Sequence, residues 1–273
     1  MQEQRKTPPD RPLRVLQISD THLCADPADH LLGLNTQRCF EGTLDLLQAN
    51  HWPADLLLVT GDLVHGGSSA GYNRLYARLA ALEIPVYCLP GNHDVPDLLR
   101  RSLNGDRVRT VPAARHGAWA FVFIDSTRPG SPSGHLSAGE LERLEQSLAL
   151  HAAHHCLVCL HHQPVPIGSA WLDSVAVENP AALFAVLERW PQVRGVLWGH
   201  VHQSFDAIRN GIRLLACPST CAQFRPGTEQ YTPDALTPGY RWLELHPDGR
   251  LDTGVERMAR YPDGPERAAS GYW

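Results

Sequence analysis

Short apolar runs rich in valine, isoleucine and leucine recur along the chain, and between them lie stretches whose apolar positions fall three and four residues apart. The runs predict strands at 13–18, 55–60, 86–89, 119–124, 156–160, 193–198, 212–216 and 240–245. The second pattern predicts helices at 36–50, 72–81, 138–150 and 180–190, the last opened by Asn179 as a capping residue and Pro180 at its first position. Strands alternating with helices indicate an α/β architecture. Nothing repeats, and no linker is long enough to separate a second domain from the first. Residues 13–273 are therefore expected to form one domain behind an unstructured tail at 1–12, with a long loop at 224–238.

Composition narrows the function. With 273 residues, 43% of them hydrophobic, the chain can bury a sizeable core. Its net charge of −5 argues against a protein that holds nucleic acid electrostatically, because phosphate contacts need clustered Lys and Arg. No run approaches the roughly 18 apolar residues that span a bilayer. The start, MQEQRKTPPDRP, lacks the apolar core of a signal peptide, so a cytoplasmic location is expected. Seven scattered cysteines suit a reducing compartment. Cys156 and Cys159 are three apart in a strand-like run, so they face opposite ways and read as core thiols.

Five of the predicted strands end in metal-binding residue types: Asp20 and His22, Gly61-Asp62, Gly91-Asn92-His93-Asp94, His161-His162, and Gly199-His200-Val201-His202. Strands of an α/β sheet deliver ligand-binding residues at their carboxyl ends, so these segments can converge. Taken singly, each is an ordinary turn; the ordered set carries the reading. Imidazole with carboxylate suits Fe, Mn, Zn or Co better than Ca or Mg. Asp62 is the candidate bridge between two ions. Asp20, His22 and His202 would complete the first, and Asn92, His200 and one of His161 and His162 the second. Two carboxylates against two divalent ions leave the site positive, fit for a phosphodiester anion inside a negative protein. A metal-bridging hydroxide, with its pKa lowered toward ~7, would attack phosphorus in line without a covalent enzyme intermediate. His93, next to Asn92, is read as the proton donor or phosphate contact, and Asp94 as a carboxylate that orients a neighbouring histidine. Gly61, Gly91 and Gly199 would let the backbone turn sharply. The other histidines, His65 among them, are assigned to surface or core.

In this order the motifs resemble the calcineurin-like metallophosphoesterase superfamily and, within it, the bacterial class III 3′,5′-cyclic-nucleotide phosphodiesterases. The second resemblance covers nearly the whole chain: LQISDTHL at 16–23, LLGLNT at 31–36, TGDL at 60–63, LPGNHD at 89–94, HHQPVPIGSAWLD at 161–173, GHVHQ at 199–203 and PSTCAQF at 218–224. It implies a four-layer αββα sandwich with two mixed sheets, which the hydrophobic pattern alone does not separate from a Rossmann-like sheet. It implies that His161, three residues before Pro164, is the metal ligand. It further implies an iron- or manganese-type metal pair, hydrolysis of cyclic AMP to 5′-AMP, and phosphate contacts from His22, Asp62, Asn92, His93 and His202. The partner would be a small cyclic nucleotide, with no nucleic acid and no membrane, and the protein a monomer or homodimer. Segments 31–36, 169–179 and 218–224 are expected to wall the pocket, with Asn35, Asp173 and Asn179 as candidates for ribose or base contacts. A broader diesterase acting on 2′,3′-cyclic nucleotides or glycerophosphodiesters is the alternative enzyme. A non-catalytic scaffold of the same fold is the alternative outside enzymes.

Overall fold

In the first strand Leu13 and Val15 turn to one side and Leu16 and Ile18 to the other, and all four are buried. A strand covered on both faces belongs inside a layered structure. The computed structural model describes residues 11–262. It begins with β1 (Leu13–Ile18), a ribbon of β2 (His30–Leu31) and β3 (Leu34–Asn35), α1 (Thr36–His51) and β4 (Leu56–Thr60). Next come α2 (Ser69–Ala80), β5 (Val86–Leu89), α3 (Pro96–Ser102), β6 (Val108–Arg109), β7 (Ala113–His116) and β8 (Trp119–Phe123). The second half contains α4 (Ala138–Leu150), β9 (His155–Cys159), α5 (Ala170–Asp173), α6 (Pro180–Leu187) and β10 (Val193–Trp198). It closes with β11 (Phe205–Arg209), β12 (Ile212–Ala216), β13 (Gly239–Leu245) and β14 (Leu251–Arg257).

The strands form two six-stranded sheets, ordered β14-β13-β1-β4-β5-β6 and β11-β12-β10-β9-β8-β7. Both are mixed: β1, β4, β5 and β6 run parallel in the first, and β8, β9, β10 and β12 in the second, with antiparallel strands at the edges. Leu13, Val15, Leu56, Leu58 and Leu243 of the first sheet meet Trp119, Phe121, Leu157, Leu197 and Leu215 of the second in one apolar layer. The opposite face of the first sheet packs on α1, α2 and α3 through Phe40, Leu44, Tyr72, Leu75 and Leu99. That of the second packs on α4 and α6 through Leu144, Leu148, Leu183 and Leu187. The result is the four-layer αββα sandwich implied by the resemblance. Cys156 faces the helices and Cys159 the other sheet, as their spacing predicts.

The differences have local causes. Edge strands β11 and β14 alternate with exposed polar residues rather than forming apolar runs, so the hydrophobic pattern passes over them. α6 stops at Leu187, short of 190, and Asn179 does not cap it. The Asn179 side chain instead accepts from Leu136 N (3.0 Å) and donates to Leu136 O (2.8 Å). Of the expected tail, residues 1–10 lie outside the described residues, as do 263–273 of the expected domain. Arg11 is tied to Asp55 by contacts of 2.8 and 2.6 Å. Among the described residues no helix is long and apolar enough to cross a membrane.

Candidate metal centre

The segments that follow β1, β4, β9 and β10 are laced together by backbone hydrogen bonds. Asp20 N donates to Gly61 O (3.0 Å), His22 N to Asp62 O (2.9 Å) and Gly199 N to His161 O (3.1 Å). Asp20, His22, Asp62, His200 and His202 all adopt the left-handed backbone, with φ of 54°, 45°, 53°, 64° and 48°. That conformation costs an L-residue about 1–2 kcal/mol, and several such residues gathered at one place mark a site rather than a scaffold. The glycines work differently from expectation. Only Gly61 needs positive φ (97°), while Gly91 and Gly199 are there for space. A Cβ on Gly91 would lie 2.2 Å from Asp62 Oδ1, and one on Gly199 1.9 Å from Ser19 Oγ.

Asp20, His22, Asp62, His161, His200 and His202 are buried, and Asn92 and His93 half-buried. His161 Nδ1 donates to Thr60 O (2.8 Å) and His202 Nδ1 to Ala222 O (2.7 Å). A carbonyl can only accept, so each ring carries a proton on Nδ1 and aims its Nε2 inward. His202 Nε2 stands 3.2 Å from His22 Nε2 and 3.5 Å from Asp20 Oδ1. His161 Nε2 stands 3.2 Å from both Asn92 Oδ1 and Asp62 Oδ2. Asp62 Oδ2 is also 3.7 Å from His22 Nε2, so one carboxylate oxygen lies between the two histidine groups. The other oxygen, Oδ1, accepts His93 N–H at 2.9 Å. His162 lies beside His200, ring centroids 4.6 Å apart, but both its ring nitrogens are engaged elsewhere: its Nε2 donates to Pro132 O (3.1 Å), and its Nδ1 meets the Ser126 hydroxyl (2.8 Å).

The calcineurin-like phosphoesterase profile matches residues 13–204. The chain belongs to the calcineurin-like phosphoesterases. It is 41% identical over 250 residues to the 3′,5′-cyclic adenosine monophosphate phosphodiesterase CpdA of Pseudomonas aeruginosa, covering 91% of each chain. It is 40% identical to CpdA of Escherichia coli K12, covering 95% of each. Among solved structures, a dimetal phosphatase from Danio rerio superposes with a TM-score of 0.67 at 15% identity, over 91% of this chain and 97% of that one. That likeness concerns the fold.

A calcineurin-like phosphoesterase takes divalent metal ions, and the donor set here fits them. Imidazole nitrogens and carboxylate and amide oxygens from separate segments converge at 3.2–3.7 Å, a donor set that positive charge shared among them holds together. His200 Nε2 is buried with no hydrogen-bond partner among the described residues. Burial, with His162 and His161 adding repulsion, holds His200 far below the usual imidazole range, in the neutral form a metal requires. Burial likewise drives His22 well down despite the opposing pull of Asp62. At His161 burial is outweighed by Asp62 and Asp20, which raise it to about 9, so this is a spot that attracts positive charge. Burial and His161 push His162 down to about 3.

Other expectations are corrected. Asp94 orients no histidine. Its carboxylate accepts from Leu63 N (3.0 Å), Val64 N (3.1 Å), Gly91 N (2.9 Å) and Tyr72 OH (2.8 Å), locking the Asp62 loop to the Asn92 turn. Asn35 caps α1 through Arg38 N (2.8 Å), Asp173 accepts from Ile167 N (2.8 Å) and Gly168 N (3.1 Å), and Asn179 holds Leu136. Asn35 and Asp173 thus order their own loops, and Asn179 ties its loop to the segment before α4. Two neighbours went unread in the sequence. Phe224 stacks on His202 at 4.1 Å between centroids and 7° between planes, and His65 lies beside His22 and His93.

Proposed function

We propose that this chain hydrolyses 3′,5′-cyclic AMP to 5′-AMP at a dinuclear metal centre and so lowers a second-messenger pool. The metal dependence is carried by one observation, the convergence of imidazole nitrogens and carboxylate oxygens, with Thr60 O and Ala222 O turning the Nε2 atoms of His161 and His202 inward. The cyclic nucleotide is supported by the two CpdA relatives, matched over nearly their full length.

In this reading Asp20, His22 and His202 hold one ion, Asn92, His161 and His200 the other, and Asp62 belongs to both. Imidazole and carboxylate donors suit iron or manganese. Bound there, the ions supply Lewis acidity to the phosphate and lower the pKa of water toward ~7. The remaining work falls to the chain. The His93 backbone N–H fixes the plane of the Asp62 carboxylate. The His93 ring, half-buried with its centroid 5.0 Å from that of His22, gives a proton to the 3′-oxygen as its bond to phosphorus breaks. His22, Asp62, Asn92, His93 and His202 surround the phosphate, and the left-handed turns that carry most of them keep those side chains in place before substrate arrives. Seven free thiols accord with a cytoplasmic setting.

Ranking turnover on 3′,5′-cyclic AMP, cyclic GMP, 2′,3′-cyclic AMP and glycerophosphodiesters tests the substrate. The first is expected to lead; if it ranks last, the broader diesterase replaces it.

A further inference from the structure

His65 follows Asp62 by three positions and carries no motif, yet the fold sets it against the proposed proton donor. Its ring stacks on that of His93 with centroids 5.2 Å apart and planes 28° apart, and lies 6.0 Å from the His22 ring. Its Nδ1 is buried with no hydrogen-bond partner among the described residues. The backbone fixes it from both sides. His65 N donates to Leu23 O (3.0 Å), and Val95 presses on the same loop so closely that a Cβ on Gly67 would lie 2.3 Å from Val95 Cγ2. Val64 N, next to His65, donates to Asp94 Oδ1 (3.1 Å), next to His93, which ties the loop bearing one ring to the turn bearing the other.

We propose that His65 is a positioning residue for His93. Its flat face limits the swing of a half-buried imidazole that would otherwise sample several rotamers, and so holds the donor toward the leaving 3′-oxygen. His65 exchanges no proton: His93 gives one up as the bond from phosphorus to O3′ breaks, and regains it from solvent. This inference rests on the reading of His93 as donor to an alkoxide leaving group.

That chemistry gives a readout that mere packing would not move. A p-nitrophenolate leaves without being protonated, whereas the ribose 3′-oxygen does not. The test compares kcat, KM and bound metal for wild type, His65→Ala, His65→Phe, His93→Ala and the double alanine variant. Each is assayed on 3′,5′-cyclic AMP and on bis(p-nitrophenyl) phosphate. His65→Ala should lower kcat on cyclic AMP about three- to tenfold, the range one ring contact is worth, and lose several-fold less on the aryl diester. Metal content and KM should stay put. His65→Phe, which keeps a flat ring, should recover most of the rate, and His65→Ala should add nothing to His93→Ala. Equal losses on both diesters, additive losses in the double variant, or loss of metal would overturn the inference. A wild-type enzyme that cleaves the aryl diester but not cyclic AMP would instead sink the proposed substrate, and the positioning role with it.

Discussion

Five of the seven residues proposed to hold metal stand in left-handed backbone, and the seven differ in what their removal should do. Asp62 has one oxygen between His22 and His161 and the other held by the His93 N–H. Asp62→Ala should therefore abolish activity and metal pairing together, read as bound metal per chain alongside turnover. His93 is proposed as a proton donor and not as a metal ligand. His93→Ala should keep both metals and lower kcat on cyclic AMP by about 100-fold or more, the usual share of a general acid; metal loss in that variant would mean a ligand had been mistaken for an acid. Residue types and their order were legible in the sequence, because metal chemistry restricts them to Asp, Asn and His. What sets His161 and His162 apart was not legible from the residues alone, because the partners of both His162 ring nitrogens, Ser126 and Pro132, lie about thirty residues away and bear no motif. His65 escaped for the same reason: its partner is found by folding, not by spacing.

At the scale of elements, the strands with both faces covered were readable as apolar runs. Their division into two sheets was not, since a buried strand looks the same whichever sheet it joins. Edge strands with an exposed face, β11 and β14, were lost from that pattern. The loops between elements depend on buried polar groups, and Asp94 is the plainest case. It satisfies three backbone N–H groups and the Tyr72 hydroxyl from a buried position, joining the end of β4 to the end of β5. Asp94→Asn turns one acceptor into a donor facing donors. It should cost about 2–3 kcal/mol of stability and weaken metal binding about 10- to 100-fold, as loss of an outer partner does elsewhere. Urea unfolding and metal titration check the two effects separately; wild-type values in both would mean the loop holds itself.

Across the whole molecule the two sheets are joined by more than apolar packing. Arg241 of β13, 2% exposed, donates to Ala216 O (2.8 Å) and Phe205 O (3.0 Å) of the other sheet, and Gln17 of β1 reaches Trp198 O (3.1 Å). Arg241→Met removes charged donors from buried carbonyls and should cost about 1.5–3 kcal/mol, seen as a lower denaturation midpoint with an unchanged slope. The same packing brings five strand ends from both sheets to one place, where a protein of net charge −5 can concentrate positive charge. A metal titration reads that concentration of positive charge. Protein stripped of metal is titrated with Mn²⁺ while conversion of 3′,5′-cyclic AMP to 5′-AMP is followed. No turnover is expected without metal, and full turnover at two ions per chain. Turnover that survives stripping, or that saturates at one ion, would contradict the dinuclear centre.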